Sequence, residues 1–248
     1  MKIKIPKVEE MLEAGVHFGH QVRRWNPKME KYIYTVSKNI HIIDLEQTEQ
    51  KLKEACEFVY KKAAEGGRII FVGTKKQARE IIVAEAKRCG AMYVSERWIG
   101  GTITNSGIIR KTLDKHLKMI KERDEGIYLT TRTKKERLLI DRSIDKFQLV
   151  YGGIANMREI PSALVIVDQK REHTAIQEAK RFDIPVVGII DTNADPTQID
   201  YAIPANDDAI KSVALLVKTL ATAIEEGYKE YEKTKEEEKT KKAKPESK

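Results

Sequence analysis

Four short apolar runs rich in Val and Ile constrain this chain more than any other feature: Ile69–Gly73, Ala163–Asp168, Val186–Asp191 and, less sharply, Ala91–Ser95. A strand with one wet face alternates apolar and polar side chains. A run apolar throughout belongs to a sheet covered on both faces. Asp200–Pro204 reads as a fifth strand, and helical patterns fall at about 46–65, 74–89, 171–182 and 207–226. Strands alternating with helices indicate βαβ units, hence an α/β fold with a doubly wound, five-stranded parallel sheet. Thr74-Lys75-Lys76-Gln77 has the spacing of a capping box directly after a strand, and Asp44-Leu45-Glu46-Gln47 is a second candidate. Asn206-Asp207-Asp208 sets short polar acceptors where the last helix opens.

One region breaks the alternation. Between Ile108 and Val150 no strand-like run occurs. Ile109, Leu113, Leu117 and Ile120 form one apolar stripe at helical spacing, and Ile140, Ile144 and Phe147 form another. Gly126 reads as a stop and Thr133-Lys134-Lys135-Glu136 as a fresh capping box. The pattern predicts an antiparallel helical hairpin inserted into the α/β domain, projecting because its other faces are charged. Gly152-Gly153 marks the return. The expected organisation is an N-terminal basic segment over 1–45, a discontinuous α/β domain over 46–102 and 159–226, the hairpin over 103–158, and a charged flexible tail over 227–248. From Glu226 onward the chain holds 8 Lys and 7 Glu, a composition that cannot bury a core.

Charge is placed unevenly. Of the chain's residues 34% are charged, against ~25% in ordinary globular domains. Residues 1–40 carry 8 Lys/Arg against 4 Asp/Glu, and residues 106–150 carry 12 against 7, so these stretches supply +9 and the remaining residues sum to −1. Two local basic regions suit a polyanionic partner, since each neutralised phosphate releases counterions. Cys56 and Cys89 match no metal or redox spacing. The N-terminus lacks the apolar core of a signal peptide, and no apolar run approaches the ~20 residues that span a bilayer. A soluble cytoplasmic protein with reduced thiols is expected.

The richest segment runs from Gly15 to Lys28 and includes His17, His20, Arg23, Arg24, Trp25, Asn26 and Lys28. Its guanidinium groups could track phosphates while Trp25 stacks on a base; equally, Trp25 could anchor a core beside ordinary solvated arginines. His17, His20 and His41 lack a further ligand at metal-site spacing. Asp191 and Asp207 follow strand ends, where ligands of such sheets gather, and fit either a hard cation or turns and caps. No metal or other cofactor is expected. Gly73-Thr74-Lys75-Lys76 resembles a phosphate-binding turn but is neither a P-loop nor a G-x-G-x-x-G fingerprint. It reads as a tight turn, with Lys75 and Lys76 free to touch an RNA backbone. Arg97-Trp98-Ile99-Gly100-Gly101-Thr102-Ile103-Thr104-Asn105 is either a binding loop, with charge, a stacking face and close backbone approach, or a hinge for the hairpin. No catalytic elbow, zinc-protease motif or Cys–His pair is present.

These same stretches carry a resemblance. Leu12 to His20, Arg24 to Met29, Asn39 to Leu45, Phe71 to Lys76 and Arg97 to Asn105 closely resemble the bacterial small-subunit ribosomal protein S-two family, second in the small-subunit series. So do Pro161 to Asp168, Glu172-His173, Ala175-Ile176, Glu178-Ala179, Ile184 to Gly188, Asp191 to Asn193 and Ile203 to Ile210. The blocks stand in family order over roughly 8–225. Asp145–Tyr151 departs from the pattern, being less charged than the second hairpin helix usually is. The resemblance implies a flavodoxin-like sheet with a helical insertion, a place on the ribosome, and no enzymatic activity. It also implies binding to small-subunit rRNA and to neighbouring ribosomal proteins, including the large mRNA-binding protein S-one, without a homo-oligomer. Arg23, Arg24, Trp25, Asn26, Lys28, Lys75, Lys76, Arg97, Trp98, Thr104, Asn105, Arg110 and Lys111 are the expected rRNA contacts. Two other readings stay open: a nucleotide-dependent enzyme built on the Gly73–Lys75 turn, and a protein-docking adaptor that uses the hairpin.

Overall fold

The computed structural model describes residues 4–242, with side chains through residue 237. The chain opens with helix α1 (Val8–Glu13), then strands β1 (Phe18–Gln21), β2 (Ile33–Ser37) and β3 (Ile40–Ile43). These strands pair antiparallel in the order β1-β3-β2. The two-residue turn between β2 and β3 places Lys38 at φ 47° and Asn39 at φ 65°, the twist that joins strands by the shortest hairpin. This small sheet was not foreseen, because its turn pair is Lys-Asn and not the glycine-containing pair that marks such turns in sequence.

Helix α2 (Leu45–Ala64) starts from Asp44, whose side chain accepts from the backbone N–H groups of Glu46 and Gln47. Strand β4 (Ile69–Val72), helix α3 (Lys76–Cys89) and strand β5 (Met92–Val94) follow. Helices α4 (Ser106–Asp124), α5 (Ile127–Thr131) and α6 (Lys134–Tyr151) occupy the charged middle. Thr133 and Glu136 close the expected reciprocal capping box at α6. The roots of α4 and α6 meet where the His116 and Phe147 rings stack with centroids 4.1 Å apart. The remaining elements are β6 (Ala163–Val167), α7 (His173–Arg181), β7 (Val186–Ile190), β8 (Tyr201–Pro204) and α8 (Ile210–Lys242).

The main sheet is wholly parallel, in the order β5-β4-β6-β7-β8. All five strands lie where the apolar runs predict them. Alternate residues of each strand serve two cores. Ile69, Phe71, Val165, Val187 and Ile203 face α2, α3 and α8. Ile70, Val72, Leu164, Ile166 and Ile190 face α7 together with Trp98, Ile103, Ile109, Leu113 and Phe147. Burying both faces explains why no strand shows polar alternation.

Two expectations need correction. Thr74 does not cap α3: its hydroxyl bonds Glu172 and Arg171, and Lys75 takes the cap position without a side-chain bond. The last helix does not stop near 226. Tyr228 accepts a hydrogen bond from the Ile69 backbone N–H at 3.2 Å, and Tyr60 pairs with Glu230, so the first turn of the supposed tail is packed on the domain. Residues 243–248, the end of that expected tail, lie outside the described residues.

Candidate nucleic-acid interface

The N-terminal segment lies across the carboxyl ends of the main sheet. Asn26 N–H donates to the Thr192 carbonyl at 2.8 Å, Asn206 N–H to the Val16 carbonyl at 3.0 Å, and His20 N–H to Asp191 at 3.1 Å. The basic loop is therefore fastened to the ends of β7 and β8. Within it a short 3-10 turn, Val22–Arg24, exposes both arginines, and Arg23 Nε reaches only the Gln21 side chain at 3.0 Å. Trp25 is half-buried, its ring 5.0 Å from that of His41. Asn26 caps the next 3-10 turn by accepting from Lys28 N–H. Lys28 is exposed but paired with Asp195 at 2.7 Å.

The loop from Arg97 to Asn105 hangs from a carboxylate that reading the sequence for cations overlooked. Glu178 of α7 is buried and accepts from Trp98 Nε1, Gly101 N–H, Ile103 N–H, Thr104 N–H and Thr104 Oγ1, at 2.7 to 3.2 Å. Burial raises its pKa, but these donors outweigh that and hold it below the usual carboxylate value. Its sequence signal was slight: an acidic residue on the apolar face of α7. Arg97 and Asn105 remain exposed at the loop's two ends. Beyond the loop, Arg110 is half-buried and Lys111 exposed at the start of α4.

Three of the expected contacts are engaged within the protein instead. Trp98 is 7% exposed with its indole N–H spent on Glu178, so it offers no face to a base. Thr104 is held by the same carboxylate. Lys75 is enclosed by Asp207 at 2.7 Å, Asp208 at 2.6 Å and Asp168 at 3.5 Å, and cannot reach a phosphate without abandoning them. Its neighbour Lys76 is exposed and forms no ion pair among the described residues.

The carboxylates around Lys75 also undercut a nucleotide site. The turn Gly73–Lys75 faces Asp168, Asp207 and Asp208, and Thr74 is bonded to Glu172, an arrangement that repels phosphate. Asp191 and Asp207, the candidate cation ligands, come together here with His20 and Asp208. Burial, then repulsion from Asp191 and Asp168, raises Asp207 to about 7 against the pull of Lys75. The hydrogen bond to Asp191 raises His20 despite partial burial.

The described helices include none long and apolar enough to cross a membrane. A family profile described as ribosomal protein S2 matches residues 11–227. Small ribosomal subunit protein uS2c of Cyanophora paradoxa is 51% identical over 223 residues, covering 90% of this chain and 95% of that protein. Small ribosomal subunit protein uS2 of Picosynechococcus is 50% identical, with 90% and 87% covered, and that of Synechocystis 49%, with 90% and 82%. With its parallel sheet, its basic segment fastened across the strand ends and relatives at this level of identity, the chain belongs to the ribosomal protein S2 family, a family of structural ribosomal proteins and not of enzymes.

Proposed function

We propose that this chain is a structural constituent of the small ribosomal subunit, on cytoplasmic ribosomes, binding small-subunit rRNA and neighbouring ribosomal proteins, among them the large mRNA-binding protein S-one. One observation carries the RNA part: Arg23, Arg24, Lys76, Arg97 and Lys111 stay exposed and form no ion pair among the described residues, whereas Lys75 and Lys28 are neutralised by carboxylates. Their contacts are with phosphates, which position the protein without reading sequence. Trp25, half-buried against His41, supplies a partly open stacking edge. Asn26, Asn105 and Arg110 lie beside these cations and act as secondary contacts. In this reading residues 103–158 form an antiparallel hairpin that enters the ribosome as a separate arm.

The test is a salt titration of rRNA binding by filter retention. Replacing Arg23 and Arg24 by Ala removes up to two phosphate contacts and lowers the slope of log K against log salt by about 0.7–0.9 per contact. An unchanged slope refutes their role. Co-sedimentation with the small subunit through a sucrose gradient at moderate salt tests the wider assignment, and a protein that stays at the top of the gradient overturns it.

A docking role for the hairpin has its own support. Leu129 and Leu138 are more than half exposed among Arg123, Lys134, Lys135 and Arg137, and Leu139 and Leu149 are also more than half exposed on α6. Deleting residues 106–150 and retaining rRNA binding while losing ribosomal-protein partners would favour it.

A further inference from the structure

The hairpin formed by β2 and β3 carries an aromatic side chain that the rRNA contacts described so far do not use. Tyr34 is 77% exposed, the most open large apolar or aromatic side chain among the described residues. Its ring and hydroxyl form no hydrogen bond or ring contact with any described residue. A tyrosine left open in this way forgoes the burial that a ring of its size gains in a core or an interface.

The backbone puts it there. Ile33 stands opposite Ile43 and Thr35 opposite Ile42, so Tyr34 is an extra residue in β2 with no partner on β3. Such a bulge bends a strand and re-aims its side chains. β2 is also an edge of the small sheet, paired only with β3. Bulge and edge together keep this ring out of the core that receives Tyr32, two residues earlier.

What surrounds the ring favours RNA over a protein strand. Residues 22–39 hold five Lys/Arg and a single acidic residue, Glu30. Lys31 and Lys38 flank β2, are exposed and form no ion pair among the described residues. Lys31 Nζ lies 4.8 Å from the Tyr32 ring centre, a contact that leaves its charge uncompensated. The hairpin also adjoins the exposed arginines. Val22 N–H donates to the Asn39 carbonyl at 3.2 Å, and Val36 stands opposite His41, whose ring lies 5.0 Å from that of Trp25. A partner strand adding to this edge would meet the bulge and a lysine, both of which obstruct edge pairing. A nucleotide base needs no regular edge, since it stacks on any open aromatic face while cations take its phosphates.

We propose that Tyr34 stacks on an unpaired base of small-subunit rRNA, with Lys31 and Lys38 engaging the phosphates beside it. The inference rests on the rRNA-binding reading above and extends it from phosphate contacts to a base contact. Stacking of this kind selects single-stranded RNA, because a base within a duplex has its faces covered by its neighbours. The Arg23–Arg24 turn then holds the RNA backbone, while Tyr34 requires a looped-out or terminal nucleotide next to it.

The test compares the full chain with Tyr34→Ala, Tyr34→Phe and Tyr34→Trp in filter retention of protein-free small-subunit rRNA across a salt series. Circular dichroism checks that each variant is folded. Tyr34→Ala should bind about tenfold more weakly with an unchanged slope of log K against log salt, since stacking releases no phosphate counterion. Tyr34→Phe and Tyr34→Trp keep an aromatic face and should bind within about twofold of the parent. The Arg23 and Arg24 double variant lowers the slope instead, so the two contributions separate. Parent-like binding by Tyr34→Ala, with the slope still sensitive to the arginines, overturns this proposal and leaves the phosphate contacts standing. A parent chain that binds no rRNA overturns both. Retained rRNA binding by Tyr34→Ala with loss of co-sedimentation on intact small subunits would give the ring to a protein neighbour, and the base contact would be refuted.

Discussion

Replacing Glu178 with Gln should unsettle the Arg97–Asn105 loop, since it keeps the side chain's size and removes its charge. In the parent, one carboxylate oxygen serves Trp98 Nε1 and Gly101 N–H, and the other serves Ile103 N–H, Thr104 N–H and Thr104 Oγ1. A glutamine keeps one acceptor oxygen and turns an NH₂ group toward the remaining donors. An unsatisfied buried donor costs about 1–3 kcal/mol, and small shifts recover part of that, so a net loss of about 3 kcal/mol is expected. At 2–4 °C per kcal/mol for a chain of this size, Tm should fall by about 6–12 °C. Urea unfolding followed by tryptophan fluorescence measures the loss, and Trp98→Phe combined with Glu178→Gln measures the indole's share of it. The sign with pH follows from the depressed carboxyl pKa. Such a group stabilises the fold above its unfolded value of about 4.3 and loses that contribution as pH falls through the folded value. The gap between parent and variant should therefore shrink from pH 7 toward about pH 3. A variant within about 0.5 kcal/mol of the parent at pH 7 would refute the view that this carboxylate organises the loop.

Neighbouring glycines at the return from α6 should behave oppositely. A Cβ on Gly153 would lie 2.1 Å from the Tyr93 carbonyl oxygen, which is backbone, so Gly153→Ala should cost about 2 kcal/mol or more in urea unfolding. Gly152 has open space and helical dihedrals, so Gly152→Ala should be neutral or stabilise by about 0.5 kcal/mol, and equal effects would sink the contact argument. Burial raises the Cys56 thiol to about 12 and the Cys89 thiol to about 11. Both should ignore an aromatic disulfide reagent in the native chain at about pH 8 and react together once it unfolds. Rapid reaction of either thiol before unfolding would show that α2 or α3 opens locally.

The main sheet was legible because its cause is local. A strand buried on both faces must be apolar along its whole length, and Ile69–Val72, Ala163–Val167 and Val186–Ile190 carry that requirement in consecutive residues. The Thr133 cap was legible for the same reason, its two partners standing three residues apart. Apart from the β2–β3 hairpin, whose Lys-Asn turn hides it, what escaped depends on residues distant in sequence. Nothing near Trp98 announces that a glutamate 80 positions later takes its N–H. Thr74 has the spacing of a cap, yet Glu172 and Arg171 claim its hydroxyl across the sheet.

Lys75 and Lys76 make the same point for function. Side by side in sequence, both follow β4 and both look available to a phosphate. Yet Lys75 turns inward to three aspartates contributed by the ends of β6 and β8, and only Lys76 keeps its charge on the surface. A cation already neutralised releases no counterion when RNA arrives, so it adds little to affinity or to salt dependence. Basic composition therefore overstates an interface wherever strand ends supply carboxylates, as they do here. Asp168, Asp207 and Asp208 thus decide which of two adjacent lysines presents its charge to solvent.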